Sequence, residues 1–425
     1  MTAKPTAPTT EYPPCVEKGV WTPIPVGPPP GQLLLKVKDV DANESRSIKD
    51  SGVMSFHLAG CTGDFANHVP ETAVAHAMSK QVEDPCIYGG NPSAPPASFF
   101  FHLGDIVYKD EDKTDAERAD QQKLYNEHFY TPYARYPRNI FAIAGNHDGK
   151  DSQHPEKSAI RHFLKNFCDS HRTISPDNQT SGRATMVQPY PYWLFRTPLA
   201  YVVGLYANDV NGGQLDDPDG AATPQYDWLV ETLKTIRKGA DGRAVFLAVH
   251  YPPYSGATDF LQRGDPNKGP TPRPHQLRPL GMILQQAFQE SKQYPDAVFS
   301  AHAHHYQRIT YTCADGRQIP YLIVGCGGHG PIENLARDCD EKAGPPPTLP
   351  ADIVLPQGLT LPTGDCARLV AYNHQDFGFV RVTVDRKRKV VQGEFFVAYG
   401  VVREAGSPAA PSDSFTLDLR AHRVA

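Results

Sequence analysis

Asn139-Ile-Phe-Ala-Ile-Ala-Gly-Asn-His-Asp148 is the stretch whose reading decides the fold. Residues 139 to 144 form a short apolar run that starts just after Pro137, which predicts a buried strand. The run breaks off into a glycine, an amide, an imidazole and a carboxylate. Glycine lets the chain turn sharply and leaves room beside it. An amide oxygen can ligate a metal, and an imidazole can ligate one or carry protons. A single strand end of this kind says little, because Gly followed by Asp or Asn is ordinarily a turn.

The figure recurs on both sides of that stretch. The apolar segment 52–60 ends in Gly60-Cys61-Thr62-Gly63-Asp64. Ser98-Phe-Phe-Phe-His-Leu103 runs into Gly104-Asp105. Residues 243–249 end in His250, and Ala297-Val-Phe-Ser300 runs into Ala301-His302-Ala303-His304. Between these strands lie segments of helical spacing, about 70–83, 112–129, 155–168, 226–237 and 280–291. In 226–237, Trp228, Leu229 and Leu233 share one face. Further strands are expected at 190–198, 200–209, 320–325, 376–385 and 389–399. Alternating strands and helices predict an α/β sheet, with more β-rich material later. In such sheets ligands sit beyond the carboxyl ends of the strands, where the special residues fall.

Composition narrows the class. The chain has 425 residues, 40% hydrophobic and 21% charged, enough for one large domain or two ordinary ones. A net charge of -5 is an ordinary surface and gives no nucleic-acid footprint. No apolar run approaches the roughly 20 residues that span a bilayer, so no membrane partner is expected. The first residues lack an apolar core segment, which predicts a cytoplasmic protein as written, or a periplasmic or secreted one if the N-terminus is processed. Eight cysteines with no CxxC argue against a zinc ribbon; mostly reduced thiols are expected, with one or two disulfides among the late cysteines left open. The 41 prolines point to stiffened surface loops. The organisation expected is a Pro-rich arm over 1–45 with one strand in the apolar run 33–40, one domain over 46–402 with an insertion at 327–366, and a tail over 403–425. Oligomeric state is not legible.

The strand-end donors are Asp105, Asn146, His250, His302 and His304. Carboxylate, amide and imidazole together suit Zn, Fe or Mn better than Ca. Alternation along an extended backbone would aim His302 and His304 at the same site. Five such ligands exceed one tetrahedral ion and suit two ions sharing a carboxylate, at roughly 3.5–4 Å.

In order and spacing, Gly104-Asp105, Gly145-Asn146-His147-Asp148, Val249-His250 and Ala301-His302-Ala303-His304 resemble the calcineurin-like metallophosphoesterases. Tyr108 is similar to the tyrosine of the purple acid phosphatase branch, a phenolate ligand of ferric iron and the source of the colour. His250-Tyr-Pro-Pro-Tyr-Ser255 and His304-His-Tyr-Gln-Arg308 extend the resemblance, which runs from about Phe56 to Arg308. It implies a four-layer αββα sandwich of two mixed sheets. It implies hydrolysis of phosphate esters, chiefly phosphomonoesters, by a metal-bound hydroxide between two divalent or trivalent ions. A phosphodiesterase or nucleotide hydrolase is the alternative chemistry, and a phosphorylated small molecule the expected partner.

The resemblance also implies roles. Asp105 would bridge; Asn146, His250 and His302 would complete one ion; Tyr108 and His304 would belong to the other. His147 would act on the phosphoryl group with Asp148 orienting it, and His305 would line the substrate pocket. One position departs from the pattern. Cys61 stands where the family has a carboxylate after the first strand. Three accounts are open: Cys61 ligates as thiolate, Asp64 supplies the carboxylate, or this ion is more weakly held, by Asp105, Tyr108, His304 and water. The reading from outside the enzyme class is a metal-impaired relative that binds phosphate ligands without turning them over. Substrate choice is assigned to the loops 149–192, 208–226, 252–278 and 327–366, with Asp259, Arg263 and His275 as possible contacts.

Overall fold

The computed structural model describes residues 27–63, 68–108, 121–149, 159–207, 215, 223–238, 242–257, 280–333, 335, 361–400 and 411–425. Trp21, Asp64, Asp259, Arg263, His275, Cys15 and Cys339 lie outside the described residues.

In chain order the first strands are β1 (Leu34–Lys36), β2 (Val53–Ala59), β3 (Ala97–His102), β4 (Asn139–Ala142), β5 (Trp193–Arg196), β6 (Ala200–Gly204), β7 (Ala244–Ala248) and β8 (Ala297–Ser300). They continue as β9 (Tyr306–Thr312), β10 (Gln318–Val324), β11 (Cys366–Asn373), β12 (Asp376–Asp385), β13 (Val390–Gly400), β14 (Asp413–Asp418) and β15 (Arg423–Val424). The helices are α1 (Val37–Val40), α2 (Ala42–Ser51), α3 (Val69–Glu83), α4 (Gln121–Tyr125), α5 (Ala159–Phe167), α6 (Pro224–Lys238) and α7 (Leu280–Ser291).

Two mixed sheets result. One runs β1-β5-β6-β7-β8-β10-β9-β11, the other β15-β14-β13-β12-β2-β3-β4. Each has a parallel heart: β6, β7 and β8 in the first, β2, β3 and β4 in the second. Parallel strands here are buried on both faces, which is why they read as unbroken apolar runs. Strand β7 displays the layering. Phe246 and Ala248 face the other sheet, while Val245 and Leu247 face Trp228, Leu229 and Leu233 of α6 and Ile283 and Leu284 of α7. Between the sheets the ring of Phe56 on β2 meets Phe246 at 5.9 Å and Phe299 at 6.2 Å. Each such ring, fully buried, stabilises the sandwich by about 1.5–3 kcal/mol. Helix α3 covers the outer face of the second sheet through Val74, Met78 and Val82. This is the α/β arrangement of two mixed sheets that the sequence implies.

Several expectations need correction. Residues 413–424 are not a tail: they form β14 and β15, because Phe415 and Leu417 alternate inward and complete the second sheet. Asp413 also takes a two-pronged bond from Arg308 on β9, at 2.7 and 2.8 Å, tying the first sheet to the second. Within the arm, the strand expected in the apolar run 33–40 is present as edge strand β1, paired with β5. The arm boundary at residue 45 falls inside α2. Strands β9 and β11 were not anticipated, and β11 begins at Cys366, where the insertion was expected to end. The described part of the helix expected at 112–129 is α4 followed by a π-helical turn, Asn126–Tyr130. Cys61, Cys86, Cys168, Cys313, Cys326 and Cys366 are all free thiols. Among the described residues no helix is long and apolar enough to cross a membrane.

Candidate metal centre

The parallel hearts of the two sheets set their carboxyl ends side by side. The Gly60 N–H donates to the Val324 carbonyl at 2.9 Å, joining the sheets at that edge. Cys61 then leaves β2, Asp105 leaves β3, Asn146 and His147 leave β4, His250 leaves β7, and His302 and His304 leave β8. All converge.

The donors form an unbroken string. His302 Nδ1 lies 3.1 Å from Asn146 Oδ1, and His250 Nε2 lies 3.1 Å from the same oxygen. His250 Nε2 is 3.2 Å from Asp105 Oδ2. Tyr108 OH is 3.1 Å from that oxygen and 3.3 Å from His304 Nε2. Two donors each about 2.1 Å from one ion and at right or tetrahedral angles stand about 3.0–3.4 Å apart. The string therefore has the spacing of a ligand set, with Asp105 at its middle. The His250 ring fits as well: Nδ1 donates to the Leu103 carbonyl at 2.8 Å, which turns Nε2 toward the site. Cys61 Sγ, an Asp105 carboxylate oxygen and a His250 ring nitrogen all lie within 4.8 Å of one another. The residues fit a metal ion of the N, O and S type.

Backbone shape aims these side chains. Cys61, Asp105 and His302 have φ of 53, 54 and 65°, the left-handed region that non-glycine residues rarely occupy. Such conformations gather at functional sites because the surroundings must hold them there. Gly104, at φ 92°, and Gly145 make the close approach possible: a Cβ on Gly145 would overlap the Asp105 carboxylate and amide. His302 and His304 do not lie on extended backbone as expected. The Ala303 N–H donates to the Ala301 carbonyl at 2.8 Å and the His305 N–H to the Ala303 carbonyl at 2.7 Å. These are two successive three-residue turns, and they bring both rings to the site by curling the chain rather than by alternation.

Charge follows from the packing. Burial pushes the Asp105 carboxyl up, but the His250 and His147 imidazoles outweigh it and hold Asp105 well below the usual carboxylate range. Burial, then the Asp105 charge, pushes Asp148 up against the pull of its backbone amides. Burial and the neighbouring imidazoles lower His302, and lower His304 to about 3, so both rings stay neutral lone-pair donors. Burial and the Asp105 charge push the Cys61 thiol up.

The other expected residues divide. The His147 N–H donates to Asp105 Oδ1 at 2.8 Å, and its half-buried ring sits 4.3 Å from the Tyr108 ring. Asp148 is tied to the backbone: Oδ1 takes the Ile106 N–H at 3.0 Å and Oδ2 the Gly145 N–H at 2.9 Å, clamping two of the turns together. His305 does not join the string. It is fully buried, with Nδ1 donating to the Glu333 carbonyl at 2.9 Å and Nε2 against Gln307. His57 and His102 are structural, His102 bonding Thr62 at 3.0 Å.

Sequence reasoning missed His329 and Glu333, in the segment after β10. His329 stacks on Tyr108, and its Nδ1 donates to the Gly63 carbonyl at 2.7 Å. Glu333 Oε2 accepts the His304 N–H at 3.2 Å. The run Gly325-Cys-Gly-Gly-His-Gly was the available signal, since dense glycine beside a strand end marks close approach.

The calcineurin-like phosphoesterase family matches residues 61–306, more than half of the chain. No curated protein matches it. A solved structure titled "GAP50 the anchor in the inner membrane complex of Plasmodium" is similar over 85% of this chain and 90% of that one, at 10% identity and a TM-score of 0.46. The match of that family over the strand ends that carry the donor string makes this chain a member of the calcineurin-like phosphoesterases.

Proposed function

We propose that this protein hydrolyses phosphomonoesters of small molecules at a dinuclear centre bridged by Asp105. The observation that carries the reading is the donor string, in which Asp105 stands between an Asn146, His250 and His302 side and a Tyr108 and His304 side. Bound Fe, Zn or Mn ions supply Lewis acidity, an activated water and a clamp on the phosphoryl oxygens. The protein does the rest. Asp105 is pinned by the His147 amide, so its carboxylate cannot swing away. Leu103 fixes the His250 ring. His147 stands half-buried at the mouth, where its ring can stabilise phosphoryl charge or give a proton to the leaving oxygen. Tyr108, fully buried, closes the other flank and supports the monoester reading through its likeness to the purple acid phosphatase tyrosine.

Cys61 motivates a second reading, a relative that binds phosphate without turning it over. Hydrolysis of an aryl phosphate monoester and diester by the metal-loaded and chelated protein separates the readings. Chelator-sensitive turnover with monoester preference is expected. Diester preference would move the assignment to a phosphodiesterase. Metal-loaded protein that binds inorganic phosphate but turns over neither ester would establish the non-hydrolytic reading.

A further inference from the structure

We propose that Cys61 is itself a metal ligand, binding as a thiolate where the family pattern has a carboxylate, and that it makes this centre selective for Zn2+ and Co2+ over Mg2+ and Mn2+. The inference rests on the metal-dependent reading above.

Three observations carry it. The sulfur is inside the donor set: Cys61 Sγ, Asp105 and His250 offer donor atoms mutually within 4.8 Å, and all three side chains are buried. The residue is presented rather than merely packed. Its φ is positive, at 53°, as it is in only five other non-glycine residues among those described, and Asp105 and His302 of this site are two of them. Its backbone is tied at both ends, N–H to the Gly104 carbonyl at 2.9 Å and carbonyl to the His329 N–H at 3.0 Å. A small buried thiol filling space needs neither feature. Finally, the His302 N–H points at Sγ from 3.2 Å. Amide hydrogens aimed at sulfur stabilise the anionic form at metal centres and tune it. That donor comes from the same three-residue turn that delivers the His302 ring, so one turn would hold both a ligand and the outer bond to another.

The chemistry sets the preference. Thiolate is a soft donor that favours zinc-like ions, whereas carboxylate and water favour Mg2+ and Mn2+. Binding forms the sulfur–metal bond and breaks the S–H bond, and the proton leaves to water. Asp64 then need not supply the missing carboxylate.

The test is optical titration of the metal-free full chain with Co2+, for the parent, Cys61→Ser and Cys61→Asp. The parent should develop an intense near-ultraviolet sulfur-to-cobalt band that saturates with the first equivalents. Both variants should lack it. In competition, the Zn2+ over Mn2+ preference should fall on the order of 100-fold in Cys61→Asp. Should one variant fail to fold, the other decides, since Cys86 and the other free thiols are present in both. Cobalt bound without a sulfur band, or a band that survives in Cys61→Ser, overturns thiolate ligation and leaves the metal-dependent hydrolase standing. No cobalt uptake by any of the three overturns both.

Discussion

The imidazole of His329 lies flat on the ring of Tyr108, with centroids 3.5 Å apart and planes 6° from parallel. Nδ1 of His329 is anchored to the Gly63 carbonyl and its amide to the Cys61 carbonyl, so the segment after β10 presses Tyr108 toward Asp105 and His304. His329→Ala should remove about 1 kcal/mol of stacking. It should also free the Tyr108 ring and lower kcat/KM on an aryl phosphate by about tenfold. His329→Phe should recover most of both. Melting curves and steady-state kinetics check this; an Ala variant with parent kinetics would make the stack ornamental.

Gly145 is where the opening strand end leaves room for the central carboxylate. A methyl there would run into Asp105. Gly145→Ala should cost about 1–3 kcal/mol of stability by overpacking. Because the strain falls on Asp105, bound metal should drop more than stability does. Elemental analysis beside denaturant unfolding measures the two. Full metal content in a destabilised variant would show that the turn relaxes without moving the carboxylate.

A pH dependence follows from His57, deep under the second sheet. Tyr136 OH at 3.1 Å and Gln81 Oε1 at 3.0 Å hold the ring, and Arg381, paired with Glu394, lies beside it. Burial, with the Arg381 charge, lowers its pKa from 6.5 to about 3. Above pH 6.5 the ring is neutral whether folded or unfolded, and contributes no slope. Between pH 6.5 and about 3 only the unfolded chain takes the proton, so stability falls as pH falls. Buried His102, His128 and His305 act in the same direction and His250, held up by Asp105, in the opposite one, so the comparison with a His57 variant isolates His57. The loss between pH 7 and pH 5 should shrink by about 2 kcal/mol in His57→Gln. Urea unfolding at both pH values reads it, and an unchanged difference would show that the native ring does take up the proton.

The fold was legible where donors end unbroken apolar runs. Residues 53–59, 97–102, 139–142 and 244–248 announce buried parallel strands, and the glycine or donor after each marks the sheet edge. What was not legible depends on tertiary closure. His329 and Glu333 sit in a glycine-rich turn with no period, and only the pairing of β10 with β8 and β9 brings them over Tyr108. Alternation would set His302 and His304 on one face of an extended chain, but the left-handed turn at His302 has no signature in the sequence. The closing strand around Phe415 is too short to rise above its polar surroundings, and is fixed by Arg308 from the far sheet. His305, next to His304 of the string, turns inward because its neighbours Gln307 and Glu333 satisfy it.

The central claim is that Asp105 organises a metal centre on which hydrolysis depends. Its most direct test is metal content per chain, with aryl phosphate turnover, for the parent and Asp105→Asn, a variant of the same size whose amide cannot bridge. The parent should carry about two ions per chain and turn over. The variant should lose at least one ion and roughly three orders of magnitude or more of activity, with its fold intact by circular dichroism. An Asp105→Asn protein that keeps the parent's metal content and turnover would contradict the account.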